Sequence, residues 1–287
     1  MEVKLRLKRH ESFSIREGWL VKGIKNVQKN GNVFSLPDAT DLLGIGTNMV
    51  KSLKYWLLAT NLIEEKNKTM ELSQFGELIN EFDPYLEDLF SWWLIHINLI
   101  TNEEDAYIYN LFFNECQKNV FNKKDVYQEI NNILLSKKIN FNEKILEDEI
   151  NMIMKMYSID EKIDNPENNF ICPLSELNLI KKIEKDVYER NKPEIKSLNY
   201  LIVYYLILLN FKDRESFSIE ELVSSKNDLT KILNLDKNLI NEYLDEIKRN
   251  DFIIINRTAG LNMIYFKEKM SLEKIMEKYF KGGQNEI

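Results

Sequence analysis

Apolar positions in the first third of the chain recur at helical spacing and are interrupted by short polar turns. Residues 1–12 alternate apolar and basic residues in VKLRL and read as extended, and SIREGWLVKGIKNVQKN then reads as a helix. Ser14 and Glu17 have the spacing of a capping box, in which each side chain satisfies a backbone N–H left over at the helix start. Ile15, Trp19, Leu20, Ile24 and Val27 line the inner face, leaving Arg16, Lys22, Lys25 and Lys29 partly in solvent. LPDATDLLG predicts a short second helix whose first turn suits Pro37 and Asp38, since a missing N–H and a negative charge are both favourable there. Gly44 is free to take positive φ at its end. In NMVKSLKYWLLATN, Val50, Leu53 and Leu57 share one face. At about 100° per residue, Asn48, Lys51, Ser52 and Tyr55 then point outward. LIEEKNKTMEL predicts a hairpin, and SQFGELI a helix behind Ser73. Helix, turn, helix and hairpin are the order of a winged helix-turn-helix.

The middle of the chain opens with DPYLED, where Asp83 is expected to cap and Pro84 to occupy the first helical position. LFSWWLIHINLI follows, apolar on most sides and therefore central to a core. Helical patterns recur over about 103–120, 124–137 and 143–157, and DNPENN at 164–169 reads as a linker. YLIVYYLILLNF (200–211) falls short of the ~18 residues of a membrane span and reads as a buried helix. SFSIEELVSS predicts a short helix, LDKNLINEYLDEIKRN a longer one, and FIIIN and LNMIYF two strands around RTAG. The longer helix offers Lys237, Asn238, Asn241, Glu242, Asp245 and Lys248, a mixed-charge face suited to interaction or dimerisation more than to phosphate. The expected fold is mainly α with short β-hairpins: two winged helix-turn-helix units, 1–80 and 166–287, flanking an all-α acidic middle domain, 81–165.

Charge sharpens this division. The 287 residues carry 39 Lys and Arg against 46 Asp and Glu, a net charge of −7. Residues 1–70 hold 12 basic against 7 acidic residues, 71–172 hold 8 against 20, and 173–287 hold 19 against 19. The one basic segment is thus the one containing the first helix-turn-helix, which points to phosphate contact there, while the acidic middle suits a basic partner or plain solvation. Arg16, Asn48, Lys51, Ser52, Lys54 and Tyr55, with Lys66 and Lys68 on the hairpin, are the candidate DNA-binding residues. The two cysteines, Cys116 and Cys172, give no disulfide framework and fit a reducing, cytoplasmic location. The basic start of the chain lacks the apolar core of a signal peptide.

Other chemistry is weakly marked. With 2 His and 2 Cys there is no CxxC, no HxxH and no spaced ligand set, so neither a metal nor a cofactor is expected. GIGTN lacks the length and the Lys of a phosphate loop and follows a helix, not a strand. His96, on an apolar helix, reads as a satisfied core residue, and the four Trp as core anchors. No enzyme is expected, although paired carboxylates such as Glu147, Asp148 and Glu149 leave a metal-dependent nuclease open.

HESFSIREGWLVKG (10–23), GIGTNMVKSLKYWLLATNLIEE (44–65), LSQFGELI, DPYLED and CPLSELNLI (172–180) occur in the order of motifs of the bacterial domain-of-unknown-function family 4007, and the chain resembles that family along nearly its whole length. By that resemblance His10, Glu11, Arg16 and Trp19 match the first motif, Asn48, Met49, Val50 and Trp56 the second, and Cys172 and Pro173 the third. Family members lie beside genes for DNA phosphorothioation and related phage-defence systems, so the resemblance implies an accessory protein of DNA modification and restriction. Trp19, Met49, Val50 and Trp56 belong on inner faces; His10 and Glu11 either anchor the N-terminal segment or act in function. Two readings follow: a protein that binds duplex DNA through the N-terminal unit, or an adaptor that docks protein components of a modification system without touching DNA. Homodimerisation is open under both.

Overall fold

In the computed structural model, residues 7–159, 171–195, 197–258 and 261–282 are described. The first six residues of the segment expected to be extended, the 164–169 linker and the tip of the RTAG turn lie outside the described residues, while residues 8–12 form turns, with Lys8, Glu11 and Ser12 at positive φ, and are not extended. The architecture is mainly helical, with a few short antiparallel strands.

Contacts divide the chain into two compact units, Met1–Asn191 and Lys192–Ile287. The first begins with α1 (Trp19–Lys29), which buries Trp19, Leu20, Ile24 and Val27 as its periodicity requires. Its start differs from expectation. Gly18, at φ 70°, turns the chain into the helix with no side-chain cap, and Ser14 is buried instead of capping. The left-handed conformation open to glycine places the start one turn later. Next come α2 (Ala39–Leu43), closed by Gly44 at φ 59° as the sequence predicts, and α3 (Thr47–Ala59). Strands β1 (Ile63–Lys66) and β2 (Thr69–Leu72) pair as a hairpin, with Ile63 opposite Leu72. Ser73 caps α4 (Gln74–Phe82) by accepting the Gly76 N–H at 2.9 Å.

Asp83 closes α4 and does not open the next helix. Its carboxylate accepts the N–H groups of Glu87 and Asp88 at 3.0 and 3.1 Å, and Asp88 caps α5 (Leu89–Thr101). This turn uses two acids where the Pro84 signal suggested one. Helix α6 (Tyr107–Asn114) packs on α5, which is buried over most of its length; α7 (Lys123–Ser136) packs on α6 and on α8 (Glu143–Tyr157), whose Tyr157 hydroxyl meets His96 of α5 at 2.7 Å. Between α6 and α7 lies β3 (Val120–Asn122), and β4 (Ile180–Glu184) and β5 (Val187–Arg190) follow a 3-10 turn at Pro173–Leu177. They form one antiparallel sheet in the order β3-β5-β4, with the rings of Phe121 and Tyr188 stacked at 6.0 Å. The middle of the chain is therefore not all-α. Residues up to 191 belong with it, and the expected border at 165/166 is not where contacts divide the chain.

The second unit is built on α9 (Tyr200–Phe211), buried nearly throughout. Strand β6 (Ser216–Ser218), α10 (Ile219–Leu222), α11 (Leu229–Ile232) and α12 (Lys237–Arg249) precede β7 (Ile253–Thr258) and β8 (Leu261–Phe266). The sheet order is β6-β8-β7, and α13 (Leu272–Gly282), which the sequence pattern had not singled out, ends the described chain. No described helix is long and apolar enough to cross a membrane.

Gly76 lets α4 sit directly on the backbone after α3: a Cβ there would lie 2.0 Å from the Leu62 carbonyl oxygen. Gly76→Ala is expected to cost about 1–3 kcal/mol, since backbone must move to admit the methyl group. Urea unfolding of the full chain reads this as a lowered midpoint.

Candidate nucleic-acid interface

Helix α3 is the element on which a groove-binding face was expected, and its surroundings decide how much of that face is available. Thr47, Asn48 and Lys51 are exposed and Lys54 is half-buried. Ser52 and Tyr55 are not on the surface: they are 0% and 4% exposed. The Ser52 hydroxyl donates to the Phe13 carbonyl at 3.2 Å, and the Trp56 indole donates to the same oxygen at 2.8 Å. On the neighbouring face the Tyr55 hydroxyl donates to the Asp105 carbonyl at 3.0 Å. Asn102 meanwhile donates to the Leu58 and Ala59 carbonyls at the end of the helix. Amphipathic spacing revealed the face toward α1 but not these two further coverings, from the turn before α1 and the loop after α5. Ser52 and Tyr55 are thereby removed from the candidate contact set. Burial pushes the Tyr55 phenol well above its usual range, with Glu149 and Asp105 adding to the effect.

The turn that covers α3 is held by a buried polar group. Glu149, on α8, accepts the Lys8 backbone N–H at 2.6 Å and lies 3.4 Å from His10 Nε2. His10, fully buried, accepts the Ser12 N–H through Nδ1 and stacks on Trp56 with centroids 6.0 Å apart. An Nδ1 that accepts a hydrogen bond leaves the ring proton on Nε2, facing the Glu149 carboxylate. Arg9 pairs with Asp105 at 2.7 Å and Lys8 with Asp148 at 2.8 Å, so these two cations are already used. This arrangement makes His10 an anchor of the N-terminal segment.

The remaining predicted residues differ in availability. Lys51 donates to Asn48 Oδ1 at 3.3 Å and reaches Glu11 only at 4.0 Å. Arg16 lies over the rings of Trp19 and Phe13, 5.1 and 5.6 Å from their centroids, and partial burial lowers its pKa. Lys66 is tied to Glu64 at 2.7 Å and Glu71 at 3.9 Å, and the Glu64 hydrogen bond raises its pKa. Lys68 stands exposed at the hairpin tip, at φ 68°. Beside the end of α3 opens a polar cleft of about 590 Å³, lined by Arg9, Asn61, Glu64, Asn98, Glu104 and Asp105 among others. On α12, Lys237, Asn238, Glu242, Asp245 and Lys248 are exposed, and Arg257 of β7 lies 3.7 Å from Asp245. Among the described residues no three His, Cys, Asp or Glu are grouped to hold a metal ion.

Residues 7–280 match the family described as "Protein of unknown function (DUF4007)". The chain belongs to this family. No curated relative matches the sequence. Among solved structures, this DUF4007 chain is similar to a magnesium-ion-bound crystal structure of SspB, with a TM-score of 0.86 and 23% identity over 97% of this chain and 89% of that one. A second SspB crystal structure gives 0.85 and 23%, over 99% and 91%. At this identity the likeness shows a shared fold.

Two outcomes test the packing of the first unit. Tyr55→Phe is expected to lower stability by about 1 kcal/mol, the usual net worth of one buried hydrogen bond, as read by urea unfolding. Cys116 and Cys172, free, buried and pushed up to about 12 by burial, are expected to resist iodoacetamide at pH 8 while folded and to react once urea unfolds the chain.

Proposed function

We propose that this DUF4007 protein is a DNA-binding accessory protein of a bacterial DNA-modification or anti-phage defence system, with no reaction of its own. The observation that carries this reading is the start of α3, where Asn48 and Lys51 stand in solvent after a helix and a tight turn, with a hairpin following. We read α1 to β2 as a winged helix-turn-helix and the order α10 to β8 as a second. The exposed polar residues of the first unit then meet duplex DNA: Asn48, Lys51 and Lys54 from the helix, Lys66 and Lys68 from the wing, and Arg16 at the edge. With Ser52 and Tyr55 covered, phosphate contact outweighs the reading of base edges. A protein of this kind positions itself on DNA more than it selects a sequence. The resemblance to proteins encoded beside phosphorothioation genes, together with the fold shared with SspB, supports the modification setting. Two unbridged thiols suit a cytoplasmic location.

A second reading has its own support. The carboxylates and amides of the cleft beside α3 and the mixed-charge face of α12 suit a protein partner, which makes an adaptor the alternative. Fluorescence anisotropy with a labelled duplex, with and without phosphorothioate linkages, separates the two. DNA binding predicts affinity that falls steeply with salt and is weakened several-fold by Lys51→Glu. Absence of binding at low salt would leave the adaptor. Supercoiled plasmid incubated with the protein and Mg²⁺ is expected to stay supercoiled; a nicked product would assign the protein a reaction and overturn the accessory reading.

A further inference from the structure

From residue 18 to residue 37 the chain contains no Asp or Glu, and its cations there are Lys22, Lys25 and Lys29, all on α1. Their spacing of three and four residues keeps them within one narrow stripe, opposite the face that buries Leu20, Gly23, Ile24 and Val27. Along the axis their backbone positions follow one another at roughly 4.5 and 6 Å. Just after this stripe the chain meets the hairpin. The Gly31 carbonyl accepts the Met70 N–H at 3.0 Å, and a Cβ on Gly31 would lie 2.4 Å from the Met70 oxygen. The chain just after Lys29 therefore runs against the strand just after Lys68.

These four lysines, like Lys54, differ from the ion-paired cations near them in what surrounds them. Lys8, Arg9 and Lys66 sit within 2.8 Å of carboxylates, and Lys66 takes up both Glu64 and Glu71 of the hairpin. Lys22, Lys25, Lys29 and Lys68 have no ion-pair partner among the described residues. The Lys25 ammonium lies 4.2 Å from the centre of the exposed Tyr85 ring, which steadies it without neutralising it. A row of unneutralised ammonium groups on an acidic protein, spaced along one helix, is complementary to a regular line of phosphates.

The geometry points to the α1–hairpin edge, through Lys22, Lys25, Lys29 and Lys68, as a phosphate-backbone contact surface for duplex DNA. This rests on the DNA-binding reading above and changes its centre of gravity: α1 and the wing tip carry most of the affinity, and the start of α3 adds a smaller share. Contact of this kind is indifferent to sequence and sensitive to salt.

The test compares three full-length proteins by anisotropy with a labelled 20-base-pair duplex across a salt series: the wild type, Lys22→Gln/Lys25→Gln/Lys29→Gln, and Lys51→Gln/Lys54→Gln. Glutamine keeps helix propensity and length while removing charge, and an unchanged thermal melt confirms folding. Loss of three phosphate contacts is expected to flatten the salt slope by about 3 and to weaken binding at least about ten-fold near 0.1 M salt. The α3 variant is expected to change both less. Wild-type affinity in the α1 variant, with binding lost in the α3 variant, would overturn this surface and leave DNA binding standing. No binding by the wild type would overturn both. Displacement of the duplex by poly-glutamate at equal charge concentration would also overturn it, in favour of an acidic protein partner.

Discussion

Glu149 is only 2% exposed on α8, where a carboxylate costs on the order of several kcal/mol unless it is well hydrogen-bonded. Its partners all come from the turn before α1: the Lys8 N–H, and the His10 ring that faces it while stacking on Trp56. That turn in turn places the Phe13 carbonyl where Ser52 and Trp56 both donate to it. One acid on a middle helix thus holds the turn around residues 8–13, and that turn covers one side of α3. Tyr109, whose phenol burial and Glu149 both hold above its usual range, belongs to the same tightly packed region.

This arrangement bears on function through what it covers. A helix free on its outer side can enter a DNA groove along several turns. Here the second half of α3 is held by Asp105, Asn102 and the N-terminal turn, and only its start remains open. Further unpaired lysines lie along α1 and at the hairpin tip. The proposed nucleic-acid role is therefore one of positioning on a polyanion, with the cleft beside α3 and the α12 face left for other components of the system.

Much of the helical framework was legible because its signals are local. The stripe of Ile24 and Val27, the all-apolar run of α5, the glycine at the end of α2 and the two hairpins each announce themselves within about a dozen residues. What the sequence hid depends on distant partners. Strand β3 is three residues long and has no period to detect, and its pairing with β5 joins segments far apart in the chain. Ser52 and Tyr55 read as an exposed polar face because nothing local says that Phe13 and Asp105 return to cover them. His10 was left between anchoring and function for the same reason, since its partner Glu149 is contributed by a different helix. Asp83 shows a local failure: a sequence can signal that a turn occurs there without saying which of its acids is the cap.

The β3-β5-β4 sheet gives the first unit a history as well as a shape. A ribosome makes β3 well before β5, which at ~5–20 residues per second follows several seconds later. Until then Phe121 has no Tyr188 to stack on, and Arg190 has not yet donated to the Phe112 and Cys116 carbonyls at the end of α6. The helices around α5 wait as an open assembly whose last strands must arrive from the exit tunnel before it can close. The nascent chain therefore carries unsealed apolar surface through much of its synthesis, and the second unit emerges only once the first is able to finish.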